Sequence, residues 1–491
     1  VEKSPITLTR LKSFGDVAAE DDAVLDYFLK IDAVARITRN EAFLVLGRKG
    51  AGKTAIVRYF TEGEGRAYSK ALNLRGYPWN IHAQRVDRGA SEIEAYVSTW
   101  RYLISLQLAT LAVSRAKSPD HPQAKAVQRF LKDNYGGADP VLGDLLKPGR
   151  LRLSSLSFEP QVLGFKLGGI DLERSKEDLQ LGSELNALSD LLLRAAIVLA
   201  TEARLPALLV HCDELDQGLS IVDDRRSRML IGLLLAARAV RHASKDAPMP
   251  VTPVVYLRTD LWDELRFSDR NKISETLTLH LGWDSHSLME LVDARLSAKL
   301  APSVRWADIS TADQMRGSQS KWNHILNRTF LRPRDVIKFL NAALAQAKKR
   351  FEEPLVLVNE DVTGARPNYS SYLKAELDDE IMAHWAQWEE ALQACSAIST
   401  VTFQRDEFVR EYERRRSPQN QVGADDALQL LYRFSVIGYE RRSGYGGSSW
   451  AFQYTHPEAG WDGGALRFKV HLGLKEYAKL REERIGGESD E

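Results

Sequence analysis

Phe43-Leu-Val-Leu-Gly47-Arg48-Lys49-Gly50-Ala51-Gly52-Lys53-Thr54 is an apolar run that passes directly into the pattern G-x-x-x-x-G-K-[ST]. The spacing predicts a buried strand, a turn built on glycines, and a helix over Lys53 to Phe60. Glycines at that spacing let successive backbone N–H groups turn inward around phosphates, and the lysine after them reaches the β- and γ-phosphates. The Thr54 hydroxyl then stands where a Mg²⁺ ligand is required. The following helix aims its N-terminus, the positive end of its dipole, at the same anion. Gly47, Arg48, Lys49, Gly50, Ala51, Gly52, Lys53, Thr54 and Ala55 are therefore the expected phosphate cradle, with ATP and Mg²⁺ as the expected cofactors. A glycine-rich turn without a ligand is the alternative reading, and the flanking strand and helix argue against it.

Hydrolysis needs more than a cradle, namely a carboxylate on the metal side and a group that orients water. Ala207-Leu-Leu-Val-His-Cys212-Asp213-Glu214 is a second apolar run, and it ends in adjacent carboxylates. Asp213 is expected in the Mg²⁺ shell and Glu214 beside the attacking water. Asp216 either tunes the site or caps the next turn. The strand predicted over Thr252 to Leu257 ends in Arg258-Thr259-Asp260, and ligands of parallel sheets lie at carboxyl ends of strands. Arg258 or Thr259 is thus expected to sense the γ-phosphate, against a solvated strand end. Downstream, Arg266 and Arg270 lie in a basic loop, and Leu331-Arg332-Pro333-Arg334 suits a helix start with proline in its first turn. Arg334 on such a helix would couple nucleotide state to domain angle; a structural salt bridge is the alternative.

The 491 residues exceed one ordinary core, which predicts two or three domains. Lys and Arg number 67 and so do Asp and Glu, so the whole molecule exerts no net pull on nucleic acid or an anionic membrane. Any such site must be a local patch. The two cysteines, Cys212 and Cys395, have no metal-ligand spacing and read as free core thiols. No apolar run approaches the roughly 20 residues needed to span a bilayer, and no signal-peptide pattern opens the chain. A cytoplasmic protein is expected.

Residues 43–46, 207–212 and 251–257 read as buried parallel strands, with a weaker strand over 67–74 and an edge strand over 276–281. Leu185, Leu188, Leu192, Ala195 and Leu199 recur at helical spacing and predict one apolar face on the sheet. The expected fold class is α/β: a parallel-sheet P-loop core with a helical lid and a C-terminal winged-helix-like domain. Its expected boundaries are an N-terminal helical segment over 1–40, with one helical pattern from Ala23 to Ala35, and the core over 41–283. A β-hairpin insertion is expected near 150–174. The lid follows over 284–365, the winged-helix-like domain over 366–485 after a break at Val362 to Tyr369, and a disordered charged tail over 486–491.

With the phosphate loop, Asp213-Glu214, the polar strand end and Pro333-Arg334 in this order, the chain resembles the AAA+/STAND branch of P-loop ATPases over roughly residues 30–345. More closely, it is similar to bacterial P-loop ATPases of phage-defence and conflict loci. The resemblance implies a five-stranded parallel sheet, a helical lid, often a C-terminal winged helix, and work as a nucleotide-driven switch or oligomer. It also implies an arginine finger for a neighbouring subunit, for which Arg266 and Arg270 are the candidates. The chain departs from STAND sensors in lacking a long repeat array, and it has no nuclease, TIR or protease motif, which points to a separate effector protein.

The C-terminal segment predicts two helices, Asp406 to Arg415 and Asp425 to Phe434, then a β-wing of Ile437 to Arg442 with Trp450 to Thr455. Arg414, Arg415, Arg416, Arg441 and Arg442 give it local positive charge, but the second helix opens with Asp425 and Asp426. That is poor chemistry for a major groove, so docking of protein, a partner or a second copy, is favoured over nucleic acid. The leading expectation is an ATP-hydrolysing switch of a defence or regulatory complex. A DNA-binding ATPase resembling replication initiators is the rival, and a nucleotide-stabilised scaffold is a third reading that Lys53, Asp213 and Glu214 together disfavour.

Overall fold

The computed structural model describes residues 7–74, 92–137, 180–215, 223–442 and 448–482. The hairpin expected near 150–174, Asp216, the turn at 444–447 and the tail over 486–491 lie outside these residues. The chain divides into two compact units, Lys30–Leu281 and a second made of Val1–Leu29 with Gly282–Glu491.

The Lys30–Leu281 unit is built on five strands, β1 (Leu44–Leu46), β2 (Ser69–Asn73), β3 (Leu208–Asp213), β4 (Val251–Leu257) and β5 (Thr278–His280). They pair in the order β2-β3-β4-β1-β5, all parallel. Every residue of β1, β3 and β4 is buried, as befits strands covered on both faces. The weak strand over 67–74 is real, and the run at 276–281 supplies the expected edge strand. Leu185, Leu188, Leu192, Ala195 and Leu199 are buried along the helix Gln180–Ala203, which packs on the helix Glu92–Ser114. The helix Asp224–Ala243 also packs on Glu92–Ser114. A Cβ at Gly232 would lie 2.6 Å from the Tyr96 Cβ, so this approach admits only glycine.

In the second unit the helices Ser285–Lys299, Pro333–Ala347, Asn359–Ile381 and Trp388–Ile398 precede an antiparallel sheet of order β6-β9-β7-β8. Its strands are β6 (Thr402–Gln404), β7 (Ile437–Arg442), β8 (Ser448–Ala451) and β9 (Arg467–Val470). The helices Arg405–Arg415 and Ala424–Arg433 lie between β6 and β7, and β7 pairs with β8 as a hairpin. Among the described residues no helix is long and apolar enough to cross a membrane.

Two expectations are corrected. The helical pattern over Ala23 to Ala35 is split into a 3₁₀ turn, Val24–Tyr27, and a helix, Asp32–Thr38, because the chain passes from one unit to the other at Leu29 and Lys30. The N-terminal residues are not a segment of their own. Leu8, Leu11 and Phe14 are buried in the apolar core of the Gly282–Glu491 unit. Arg295 Nη1 donates to Phe14 O and Asp22 Oδ2 at 2.9 Å each, and the Tyr27 hydroxyl donates to Asp22. The break at Val362 to Tyr369 is also absent, since Asn359–Ile381 is one helix with Pro367 inside it. Val362, Ala365, Tyr369, Leu373 and Leu377 keep three- and four-residue spacing across the proline and are all buried. Burial of about 1.5–3 kcal/mol for each large apolar side chain outweighs the roughly 3 kcal/mol that an interior proline costs. The boundary expected at 365 and 366 falls within this helix.

Arg332 caps the start of Pro333–Ala347 and is itself buried with two carboxylates. Its Nε and Nη2 meet Asp335 Oδ2 and Oδ1 at 2.8 and 3.0 Å, and its Nη1 meets Glu380 Oε1 at 2.8 Å. The Phe330 N–H also donates to Asp335 Oδ2 at 3.1 Å. Removing one member strands a buried charge, so Asp335→Ala is expected to lower stability by about 3–5 kcal/mol. Urea unfolding followed by tryptophan fluorescence checks this, and a loss under about 1 kcal/mol would show the network to be dispensable.

Candidate nucleotide site

The sheet register brings the phosphate loop and the acidic strand end together. Leu46 of β1 pairs with Leu257 of β4, and Val255 of β4 pairs with Cys212 of β3. The three strands therefore reach their carboxyl ends level with one another, at Gly47, Arg258 and Glu214. A Cβ at Gly47 would stand 3.2 Å from both the Ala51 and the Leu281 Cβ atoms, so the loop turns tightly there. Gly50 and Gly52 take φ values of +80° and +101°, a region favoured by glycine. Gly52 is the N-cap residue of the helix Lys53–Thr61, which has no side-chain cap. A helix N-terminus without a side-chain cap is suited to an anion.

Lys53 Nζ donates to Gly47 O at 2.9 Å and Arg48 O at 3.2 Å, which holds the ammonium inside the loop. The Thr54 hydroxyl donates to Asp213 Oδ2 at 3.0 Å. These are the hydroxyl and the carboxylate that the sequence assigns to Mg²⁺, one from the loop helix and one from β3, and the structure holds them at hydrogen-bond distance. Glu214 follows in the left-handed region at φ +61°, rare for a residue with a Cβ, and is 8% exposed. A strained, buried carboxylate beside the candidate metal ligand Asp213 fits a functional position. The residues present thus fit ATP and Mg²⁺: a glycine loop and helix start for phosphate, a lysine within it, and an oxygen pair for the metal.

The remaining expected residues are engaged as follows. Arg258 caps the short helix Thr259–Glu264 and forms a paired contact with Asp260, Nε to Oδ1 at 3.0 Å and Nη2 to Oδ2 at 2.6 Å. Thr259 is the first residue of that helix, at the level of the loop. Arg266 is exposed and donates to Leu265 O at 3.0 Å; Arg270 lies 3.6 Å from Asp263 and 4.9 Å over the Trp262 ring. Arg334 belongs to the other unit, where its Nε donates to Val17 O at 3.1 Å and its Nη1 meets Glu376 at 3.2 Å.

A buried polar pair beneath the site escaped the sequence reading. His211 Nδ1 lies 2.9 Å from the Tyr256 hydroxyl, and the imidazole is stacked between Phe60 and Tyr256 with centroids 4.9 and 5.8 Å away. His211 and Asp213 share one face of β3, which places this pair directly behind the Asp213 carboxylate. Two polar residues inside otherwise apolar strands were the signal available. Burial pushes His211 down to about 3, so the ring is neutral, and it lifts the Cys212 thiol to about 12 with help from the Asp213 charge. Cys212 is therefore an inert core thiol, as is the buried Cys395.

The comparisons with known proteins bear on each part differently. The FunZ-associated C-terminal helical domain matches residues 286–378, which lie within the second unit. No curated protein sequence matches the chain. Among solved structures, that of Cdc6p from Pyrobaculum aerophilum aligns at 11% identity over 91% of each chain, with a TM-score of 0.24.

The unfolded chain takes up a proton at His211 near pH 6.5, whereas the folded sheet refuses it until about pH 3. Stability is expected to fall as pH drops through that interval. His211→Phe should flatten this acid-side decline, read as melting temperature against pH; an unchanged slope would show that His211 does not set it.

Proposed function

We propose that the chain is a Mg²⁺-dependent ATPase of AAA+/STAND type that works as a nucleotide-driven switch, the ATPase component of a bacterial antiviral defence or regulatory complex. The observation that carries the ATPase reading is the Thr54 to Asp213 contact of 3.0 Å at the foot of the glycine loop, with Glu214 next in the chain. Gly47 to Ala55 would hold the phosphates, and Thr54 with Asp213 the metal. Bound ATP and Mg²⁺ supply the scissile phosphoryl group and the charge that offsets its oxygens. Lys53 Nζ contributes a positive charge to the β- and γ-phosphates. The Glu214 carboxylate orients a water and accepts its proton. Arg258 or Thr259 reads the γ-phosphate from the end of β4, and Arg334 reads it from the second unit.

Oligomerisation and a separate effector protein follow from the same reading, as does a cytoplasmic location. The winged-helix-like segment supports docking of protein over DNA. Three of its arginines meet internal carboxylates: Arg405 meets Asp425 at 2.6 Å, Arg416 meets Glu413 at 3.3 Å, and Arg415 pairs with Glu411. A DNA-binding ATPase resembling replication initiators is the second reading, favoured by the order of strand, two helices and hairpin, and it requires duplex binding that falls steeply with salt.

Lys53→Ala is expected to weaken ATP binding and abolish turnover, whereas Glu214→Gln should retain ATP and lose hydrolysis by at least about a hundredfold. Phosphate release and equilibrium binding of labelled ATP measure the two; wild-type turnover in either variant would remove the corresponding assignment. Arg334→Ala should erase the difference in affinity between ATP and ADP without altering the melting temperature by more than a degree or two, since partly exposed ion pairs contribute little. A variant that still discriminates as wild type returns Arg334 to a purely structural pairing with Glu376.

A further inference from the structure

Away from the phosphate loop, the second unit gathers a group of cations that its own carboxylates do not neutralise. Arg366 Nε donates to His324 Nε2 at 3.1 Å, and Arg328 Nη1 donates to the His324 carbonyl at 3.0 Å. Two guanidinium groups are thus anchored on one buried histidine. Arg328 is 5% exposed, and among the described residues that carbonyl is the one hydrogen-bond acceptor its guanidinium meets. The remaining donors of a nearly buried arginine need acceptors, and its charge is best met by an anion.

The nearest carboxylate is Glu482. Lys475 Nζ holds its Oε1 at 2.6 Å, but Arg328 Nη2 comes only within 3.9 Å of the same atom, beyond hydrogen-bond range. Arg366 Nη1 is likewise 3.8 Å from Glu476. Glu482 is 53% exposed, although its partner Arg328 is almost wholly covered. The electrostatics agree with the distances. Burial, and then the charge of Arg366, draw Arg328 down to about 10, and burial with both arginines draws His324 down to about 3. Lys469, held below its ordinary value by burial, feels both Glu482 and Arg328. Three cations, Arg328, Arg366 and Lys475, therefore face two carboxylates, Glu476 and Glu482, around a neutral histidine, and displacing Glu482 leaves an excess of two positive charges.

We propose that Arg328, Arg366 and Lys475 form a binding site for a phosphoryl group, and that Glu482 fills this site in cis as a carboxylate stand-in. A carboxylate has two oxygens and one charge, and here it satisfies the lysine without reaching the arginine. A phosphoryl group presents three oxygens and up to two charges, which matches both the residual charge and the spread of donors. The half-exposed Glu482 is displaceable because it has few contacts to lose. Every residue of this site lies in the Gly282–Glu491 unit, so the inference stands apart from the ATPase reading.

The experiment uses the full chain carrying Lys53→Ala, which weakens phosphate uptake by the glycine loop. Inorganic pyrophosphate is titrated by calorimetry, and a short fluorescein-labelled single-stranded oligonucleotide by anisotropy, with poly-glutamate as the carboxylate control. If Glu482 occupies the site nine-tenths of the time, Glu482→Gln tightens binding about tenfold. Adding Lys475→Gln or Arg328→Gln should cancel that gain; Lys475, at the rim of the site, keeps the test valid should the buried Arg328 variant fail to fold. A gain for pyrophosphate assigns the site to a free phosphorylated molecule, and a gain for the oligonucleotide alone assigns it to a nucleic-acid backbone. Unchanged affinity for both probes, or a gain for poly-glutamate alone, overturns the proposal.

Discussion

Parallel pairing of β4 with β1 on one side and β3 on the other is the constraint on which the candidate site depends. The phosphate loop and the acidic strand end are far apart in sequence, and neither does chemistry alone. With one strand between them and register preserved across all three, their carboxyl ends emerge level. The loop helix then turns back over β3, so that Thr54 reaches Asp213. A slip of one residue in parallel pairing would send every side chain of a strand to the opposite face and separate that pair. The continuous burial of β1, β3 and β4 opposes such slips, because ahead of the strand-end Asp213 the strands are apolar on both faces except at His211 and Thr252.

Those two exceptions deepen the picture. Thr252 donates to Asn40, which also accepts from Arg241, and so ties the start of β4 to the chain entering β1. His211 Nδ1 and the Tyr256 hydroxyl share a hydrogen bond one layer behind Asp213. A neutral, stacked histidine adds no charge to the carboxylate it backs, and it fills the space under the loop helix with a rigid plane against Phe60. Asp213 thus rests on a floor of aromatic rings, which favours a fixed side-chain position over a solvated, mobile one.

Much of this core was legible in the residues themselves. Gly50, Gly52, Lys53 and Thr54 have the spacing of a strand–loop–helix turn, and the runs at 43–46, 207–212 and 251–257 read as strands that bury both faces inside a parallel sheet. The less legible parts were those where long-range packing decides. Pro367 reads as a stop because a lost hydrogen bond is a local quantity, whereas the buried face that carries the helix through it belongs to the whole unit. The pattern from Ala23 to Ala35 has one helical period, and nothing local marks the point where the chain leaves one core for another. The His211–Tyr256 contact joins residues on neighbouring strands, so neither residue announces its partner. Arg328 and Arg366, likewise, are ordinary surface-type residues in sequence, and only the fold brings them to the same histidine.

The attachment of residues 7–29 to the Gly282–Glu491 unit has a mechanical meaning. The unit that holds the candidate site is an insertion within the other unit's chain, entered at Lys30 and left at Leu281. A unit joined by a single linker is tethered at one end only. Here the chain crosses twice, so both ends of Lys30–Leu281 are tethered to a single folded unit. Leu8, Leu11 and Phe14, buried against helices far along the sequence, are the anchor that meets a pull on the N-terminal segment before it reaches Lys30.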